Sequence, residues 1–176
     1  EHKSNNFFSF TNFYQRRVRR LLPALLVIVS ASSIASYFYL LPIQFEEFIK
    51  SVVSSIFFFS NFFFHFSGQA YGAQVLSEIP LLHTWSLSVE EQFYVLYPIF
   101  LIGLLTFIKK RISLIIIIGI LSSLLFATIV NLNHQSFNFY MLPSRIWELL
   151  FGALLEVNIN EFSIGKNKKT KEILAI

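Results

Sequence analysis

LLPALLVIVSASSIASYFYLL, residues 21–41, contains no charged side chain. ISLIIIIGILSSLLFATIV, residues 112–130, contains none either. A helix needs roughly 20 apolar residues to cross a hydrocarbon core of about 30 Å, and both stretches have that length. A soluble fold would have to bury both completely within 176 residues. The composition points the other way: 55% of the residues are hydrophobic and only 14% charged, against about 25% charged in an average soluble domain. The expected fold class is all-α, a polytopic transmembrane helix bundle.

The rest of the composition agrees and removes several chemistries. The 22 phenylalanines include the runs Phe57 to Phe59 and Phe62 to Phe64. Such runs invite aggregation in water and are ordinary in lipid. Cys is absent, so no disulfide framework and no thiolate metal site is expected. Asp is absent too, so a Ser-His-Asp triad cannot be completed within these residues. Metal-ligand spacings, Gly-rich phosphate loops and Gly-x-Ser-x-Gly are missing. No metal and no bound cofactor is expected. The net charge is +4, but the basic residues are clustered. They read as topology signals rather than as a nucleic-acid surface.

The clusters are Arg16, Arg17, Arg19 and Arg20; Lys109, Lys110 and Arg111; and Lys166, Lys168, Lys169 and Lys171. Short cytoplasmic loops are enriched in Lys and Arg. If residues 48–66 cross, the last two clusters face outward. If they dip in and return, all three clusters face the cytoplasm, and 42–88 and 131–144 lie outside. The expectation is therefore four crossings, at 21–41, 89–108, 112–130 and 143–157, with 48–66 as a re-entrant or interfacial helix. Pro23 is expected in the first turn of its helix, and Pro143 at the start of the last. The chain opens on Glu1 without Met or a signal peptide and closes on an apolar turn, Glu172 to Ile176. A partial domain spanning 1–176, truncated at both ends, is expected.

Polar groups in or beside apolar spans are costly and are functional candidates. Arg17 and Arg20 are three apart and share a helix face. They are either a topology anchor or an anion site able to grip a phosphate. His83 to Tyr94, HTWSLSVEEQFY, is the densest polar run beside a span. Ser88 and Glu91 have the spacing of a capping box, which accounts for Glu91. Glu90 is not needed by such a cap and is the better candidate for chemistry, with His83 as the second. Arg145 and Glu148, also three apart, are expected to form an intrahelical ion pair that lowers the cost of inserting both charges. Lys50, Asn61 and His65 are expected to pack or line the re-entrant helix.

Three stretches together resemble one family. FYQRRVRRLLPAL (Phe13 to Leu25), LLHTWSLSVEEQFYVLYP (Leu81 to Pro98) and LPSRIWELLFGALL (Leu142 to Leu155) are similar in order and spacing to the acyltransferase family 3 membrane proteins, which include O-antigen and peptidoglycan O-acetyltransferases. The resemblance implies a bundle of about ten helices in the whole domain. It implies transfer of an acyl group, usually acetyl from acetyl-CoA, to a sugar hydroxyl of a cell-surface glycan at a bacterial inner membrane. The acceptor is then an O-antigen or other lipopolysaccharide part, peptidoglycan or an exopolysaccharide, with membrane lipid as the other partner and no nucleic acid. It implies a donor-binding role for Arg17 and Arg20, which match the family's RxxR, and a catalytic role for Glu90. It also implies an Arg and a His on a first helix that these residues do not contain. On this resemblance the arginine pair faces the CoA side and His83 to Ser86 the glycan side. Two other classes compete: a polytopic transporter or flippase of a glycan or lipid-linked substrate, which also places charges around a cavity, and a non-catalytic scaffold. An Arg followed by a His upstream of Glu1 would favour the enzyme.

Overall fold

The structure, a computed structural model, describes residues 10–67, 80–107 and 111–173. The described residues are helical throughout: α1 (Phe10–Tyr39), α2 (Pro42–Ile56), α3 (Ser60–Phe66), α4 (Thr84–Phe107), α5 (Ile112–Asn131), α6 (Gln135–Tyr140) and α7 (Leu142–Ile173). Lys109 and Lys110 lie outside the described residues.

Helix boundaries differ from the sequence expectation where polar residues extend an apolar helix. The arginine cluster lies inside α1, not before it, and Pro23 is an interior residue of that helix. Arg, Gln and Leu are good helix formers, so the polar segment continues the helix. α4 begins at Thr84 rather than near residue 89, and α7 runs to Ile173, well past 157. The single helix expected at 48–66 is two, broken at Phe57 to Phe59.

α1 and α5 are long and apolar enough to cross a membrane, and only 17% of the apolar window of each is buried. Core helices of a soluble protein would be mostly buried. Here Val27, Ile34, Leu121 and Leu125 are each more than half exposed. Of the four crossings expected from sequence, those at 21–41 and 112–130 correspond to these two helices. At 15 and 7 residues, α2 and α3 reach only about 22 and 10 Å, short of the hydrocarbon core.

Three apolar clusters hold the elements together, and the segment from Leu81 into α4 contributes to all of them. Leu25 and Val29 of α1 pack with Phe48 of α2 and Leu81. Phe64, Leu82, Trp85, Val89 and Tyr140 form the second cluster. Phe93, Ile116, Ile120 and Leu150 form the third. α5 and α7 approach closely at Gly119, where a Cβ would come within 3.1 Å of Leu150 Cδ1.

The chain breaks are stitched by side chains. At the α2–α3 break Phe58 has φ 57°, a left-handed conformation unfavourable for a bulky residue. Gln92 Nε2 donates to the Phe58 carbonyl at 3.0 Å and to Asn61 Oδ1 at 2.8 Å. Asn61 Nδ2 donates to the Tyr140 carbonyl at 3.2 Å, at the α6–α7 break. Two interrupted helices thus have freed carbonyls satisfied by one carboxamide pair, as backbone buried away from water requires. Asn61 is fully buried. Asn61→Leu keeps the volume and takes from Gln92 its bonds to Asn61 and from the Tyr140 carbonyl its Asn61 donor. It should cost about 3 kcal/mol, since each unsatisfied buried group costs roughly 1–3. A thermal unfolding series on the detergent-solubilised full-length protein checks this; an unchanged midpoint would remove the relay from the account.

Candidate functional site

The run HTWSLSVEEQFY separates into faces once it is wound into α4. Residues at i, i+4 and i+8 share a face, and Thr84, Ser88 and Gln92 form the polar one. Thr84 Oγ1 lies 2.7 Å from Ser55 Oγ and 3.1 Å from Ser60 Oγ. Ser60 Oγ lies 2.7 Å from Ser88 Oγ. These buried hydroxyls fasten α4 to α2 and α3. Trp85, Val89 and Phe93 form the apolar face toward α6 and α7.

The third face looks toward α1. Tyr14 donates its hydroxyl to the Tyr94 carbonyl at 3.2 Å. Arg17 Nη2 donates to Glu91 Oε1 at 2.5 Å, and its guanidinium carbon lies 3.5 Å from the centre of the Tyr94 ring. Leu25 meets Leu81. α1 and α4 therefore run antiparallel, with the first turn of α4 beside the middle of α1.

This geometry replaces the capping-box reading of Glu91. Ser88 sits inside α4, where its hydroxyl donates to the Thr84 carbonyl at 3.2 Å. Glu91 is the counter-ion of Arg17; their side chains are 14% and 23% exposed. Arg17 Nε is buried and has no hydrogen-bond partner. Arg20, on the next turn, is exposed. The two arginines expected to act together thus occupy different surroundings, Arg17 clamped on α4 and Arg20 open.

His83 and Glu90 come together on one cavity of about 260 Å³ between α1 and α4. They are seven residues apart, about 10 Å along the axis and nearly on one face. Leu21, Ala24, Leu25 and Ile28 of α1 form the opposite wall. Those residues begin the charge-free run of α1, so His83 stands beside its first half, not near its Tyr39 end. Both residues are exposed to the cavity, and neither side chain has a hydrogen bond or ion pair among the described residues. The arrangement can hold a neutral group between a carboxylate and an imidazole against an apolar wall.

Arg145 and Glu148 lie on the other side of Trp85. Arg145 Nη1 donates to Glu148 Oε1 at 3.2 Å, and Nε donates to the Phe139 carbonyl at 2.7 Å. The guanidinium lies against both Trp85 and Phe139, at 4.8 and 4.9 Å from ring centres that are themselves 4.5 Å apart. His65 Nδ1 lies 3.0 Å from Ser136 Oγ. Lys50 pairs with Glu46 and Glu47 at 2.9 Å each on α2. No group of three or more potential metal ligands occurs among the described residues.

Sequence reasoning missed the partners of Arg17 and the carboxamide relay. A signal existed for both: the spacings 84, 88, 92 and 91, 94 mark two helix faces once the helix is started at Thr84.

Comparison with known proteins adds an independent line. A family described as an acyltransferase domain matches residues 3–176. A Haemophilus influenzae protein of uncharacterised function is 34% identical over 97% of this chain and 73% of its own length. A Staphylococcus aureus protein provisionally named an O-acetyltransferase is 32% identical over 88% of this chain and 26% of its own. The peptidoglycan O-acetyltransferase OatA of Listeria monocytogenes is 32% identical over 99% of this chain and 29% of its own. The chain thus spans between a quarter and a third of the length of these two O-acetyltransferases. No solved structure matches the chain significantly.

Proposed function

We propose a function from this premise: the chain belongs to the acyltransferase domain family. It forms part of a multi-pass enzyme of the bacterial inner membrane that moves an acyl group, acetyl by family default, from a cytoplasmic acyl-CoA to a hydroxyl of a cell-surface glycan. Peptidoglycan is the acceptor named for one relative. The observation that carries the reading is the meeting of His83 and Glu90 on one cavity, beside the Arg17 clamp on the same pair of helices.

The chemistry follows from those groups. The sugar hydroxyl attacks the thioester carbonyl, a C–O bond forms, the C–S bond breaks and CoA leaves as the thiol. A group beside the hydroxyl must take its proton and deliver it to the leaving sulfur. Glu90, directly or through an imidazole, has the basicity and place for that task. A polyanionic donor cannot enter lipid unaided, and Arg17, with Arg20 nearby, supplies the cations that hold its phosphates. Glu91 and Tyr94 keep the Arg17 charge compensated while the site is empty. The apolar wall from Leu21 to Ile28 keeps water from competing for the acyl group.

The supporting topology has four crossings, α1, α4, α5 and the start of α7, with α2 and α3 entering from outside and returning. Cysteines introduced singly at Glu46 and Ser67 should both react with an impermeant thiol reagent added from outside. Labelling of one alone would show that 42–67 crosses.

The function is tested with purified full-length protein, acetyl-CoA and a peptidoglycan-type glycan. CoA thiol should appear together with ester-linked acetyl on the glycan. Movement of glycan or lipid-linked sugar across vesicles without acetylation would favour the transporter reading.

A further inference from the structure

A second polar site lies across Trp85 from the His83–Glu90 cavity. Two cavities of about 300 and 260 Å³ adjoin where α5, α6 and α7 meet, and both are lined by Asn131, Asn138 and Arg145. Each is near the lower end of the usual range for ligand pockets, about 300–1,000 Å³. Ser144, only 2% exposed, lines the second cavity, and its hydroxyl has no hydrogen-bond partner. Asn138 Oδ1 is also buried without a partner, while its Nδ2 donates to Asn131 Oδ1 at 3.2 Å. Buried polar groups are almost always satisfied, so two orphans on residues that line one groove mark a place where a ligand's polar groups would find partners.

The chemistry of the lining selects its class. Asn, Ser and Thr groups both donate and accept, and Trp147 contributes an aromatic surface. The one cation is already committed: Arg145 Nε serves the Phe139 carbonyl and Nη1 serves Glu148. A phosphate would find no free positive charge here, whereas a neutral polyol matches groups that work in both directions. The segment 131–144 carries no Lys or Arg, as expected of an outward-facing loop.

We propose that the α5–α6–α7 groove is a carbohydrate subsite, in which Ser144 Oγ and Asn138 Oδ1 hydrogen-bond hydroxyls of a neutral sugar unit of the acceptor chain. The inference deepens the acyl-transfer reading and rests on it for the acceptor's identity.

Binding is tested apart from transfer, by saturation-transfer NMR on the full-length protein with N-acetylglucosamine tetrasaccharide as the probe. Wild type should show transfer to the sugar protons. Ser144→Ala and Asn138→Ala should each weaken binding roughly three- to tenfold, the worth of one neutral hydrogen bond. Ser144→Ala removes a hydroxyl that bonds nothing in the fold, so its unfolding midpoint should not fall. Absence of binding to wild type, or unchanged binding by both groove variants, overturns the subsite. Acetyl-CoA thiol release, measured on the same samples, reports on acyl transfer: its loss with sugar binding intact counts against the enzyme reading and leaves the subsite standing.

Discussion

Arg17→Ala in the full-length protein should lower acyl transfer by roughly a hundredfold or more, the usual consequence of deleting a charged donor that clamps a reacting substrate. Membrane insertion should be normal, because Arg16, Arg19 and Arg20 keep the positive charge that is expected to orient α1. Arg17→Lys should recover little: it keeps the charge but loses the planar fork and the contact with the Tyr94 ring. The variant also leaves Glu91 without its counter-ion, so lost stability must be separated from lost binding. The double variant Arg17→Ala, Glu91→Gln removes both charges and should regain stability without regaining transfer. Recovery of transfer by that pair would show that Arg17 serves the fold alone. Arg20→Ala should be milder, since Arg20 is exposed and has no described ion pair.

The second large effect concerns two adjacent carboxylates. Glu90→Gln preserves shape and removes the carboxylate charge at the cavity; with Glu90 as the proposed general base, a loss of about a hundredfold or more is expected. Expression and unfolding midpoint should stay normal, because Glu90 bonds nothing among the described residues. Glu91→Gln should behave differently. A helix cap would have tolerated it, but the structure makes Glu91 the partner of Arg17. Gln can still accept one hydrogen bond, so a loss of about tenfold is expected, expressed mainly as a higher KM for the acyl donor. A normal donor KM for Glu91→Gln, or full activity for Glu90→Gln, would contradict this division of roles.

The residues that were legible and those that were not separate by a physical criterion. The charge-free runs at 21–41 and 112–130 announce α1 and α5 because length and apolarity alone define a span. Arg145 and Glu148 announce their pairing because it is local, three residues apart on one helix. Glu91 did not announce Arg17, because the pair joins α1 to α4 across 74 residues and depends on where α4 begins. Starting the helix at Ser88 turns Glu91 into a cap; starting it at Thr84 turns it toward α1. The break at Phe57 to Phe59 was equally hidden. Nothing in a run of phenylalanines signals an interruption, and its stabilising bonds come from Gln92, in a distant helix. Of the site residues, Glu90 and His83 were visible as unexplained polarity beside a span. Their shared cavity was not visible, since its opposite wall belongs to α1.

The most direct test of the central claim is a sidedness measurement with the full-length protein in oriented proteoliposomes. Acetyl-CoA is supplied only on the side bearing the arginine cluster, and a peptidoglycan-type glycan only on the other. The account predicts ester-linked acetyl on the glycan, equimolar CoA thiol on the donor side, and loss of both in Arg17→Ala and in Glu90→Gln. Acetylation with the donor on the glycan side alone, or no acetylation in either arrangement while glycan crosses the bilayer, would contradict it.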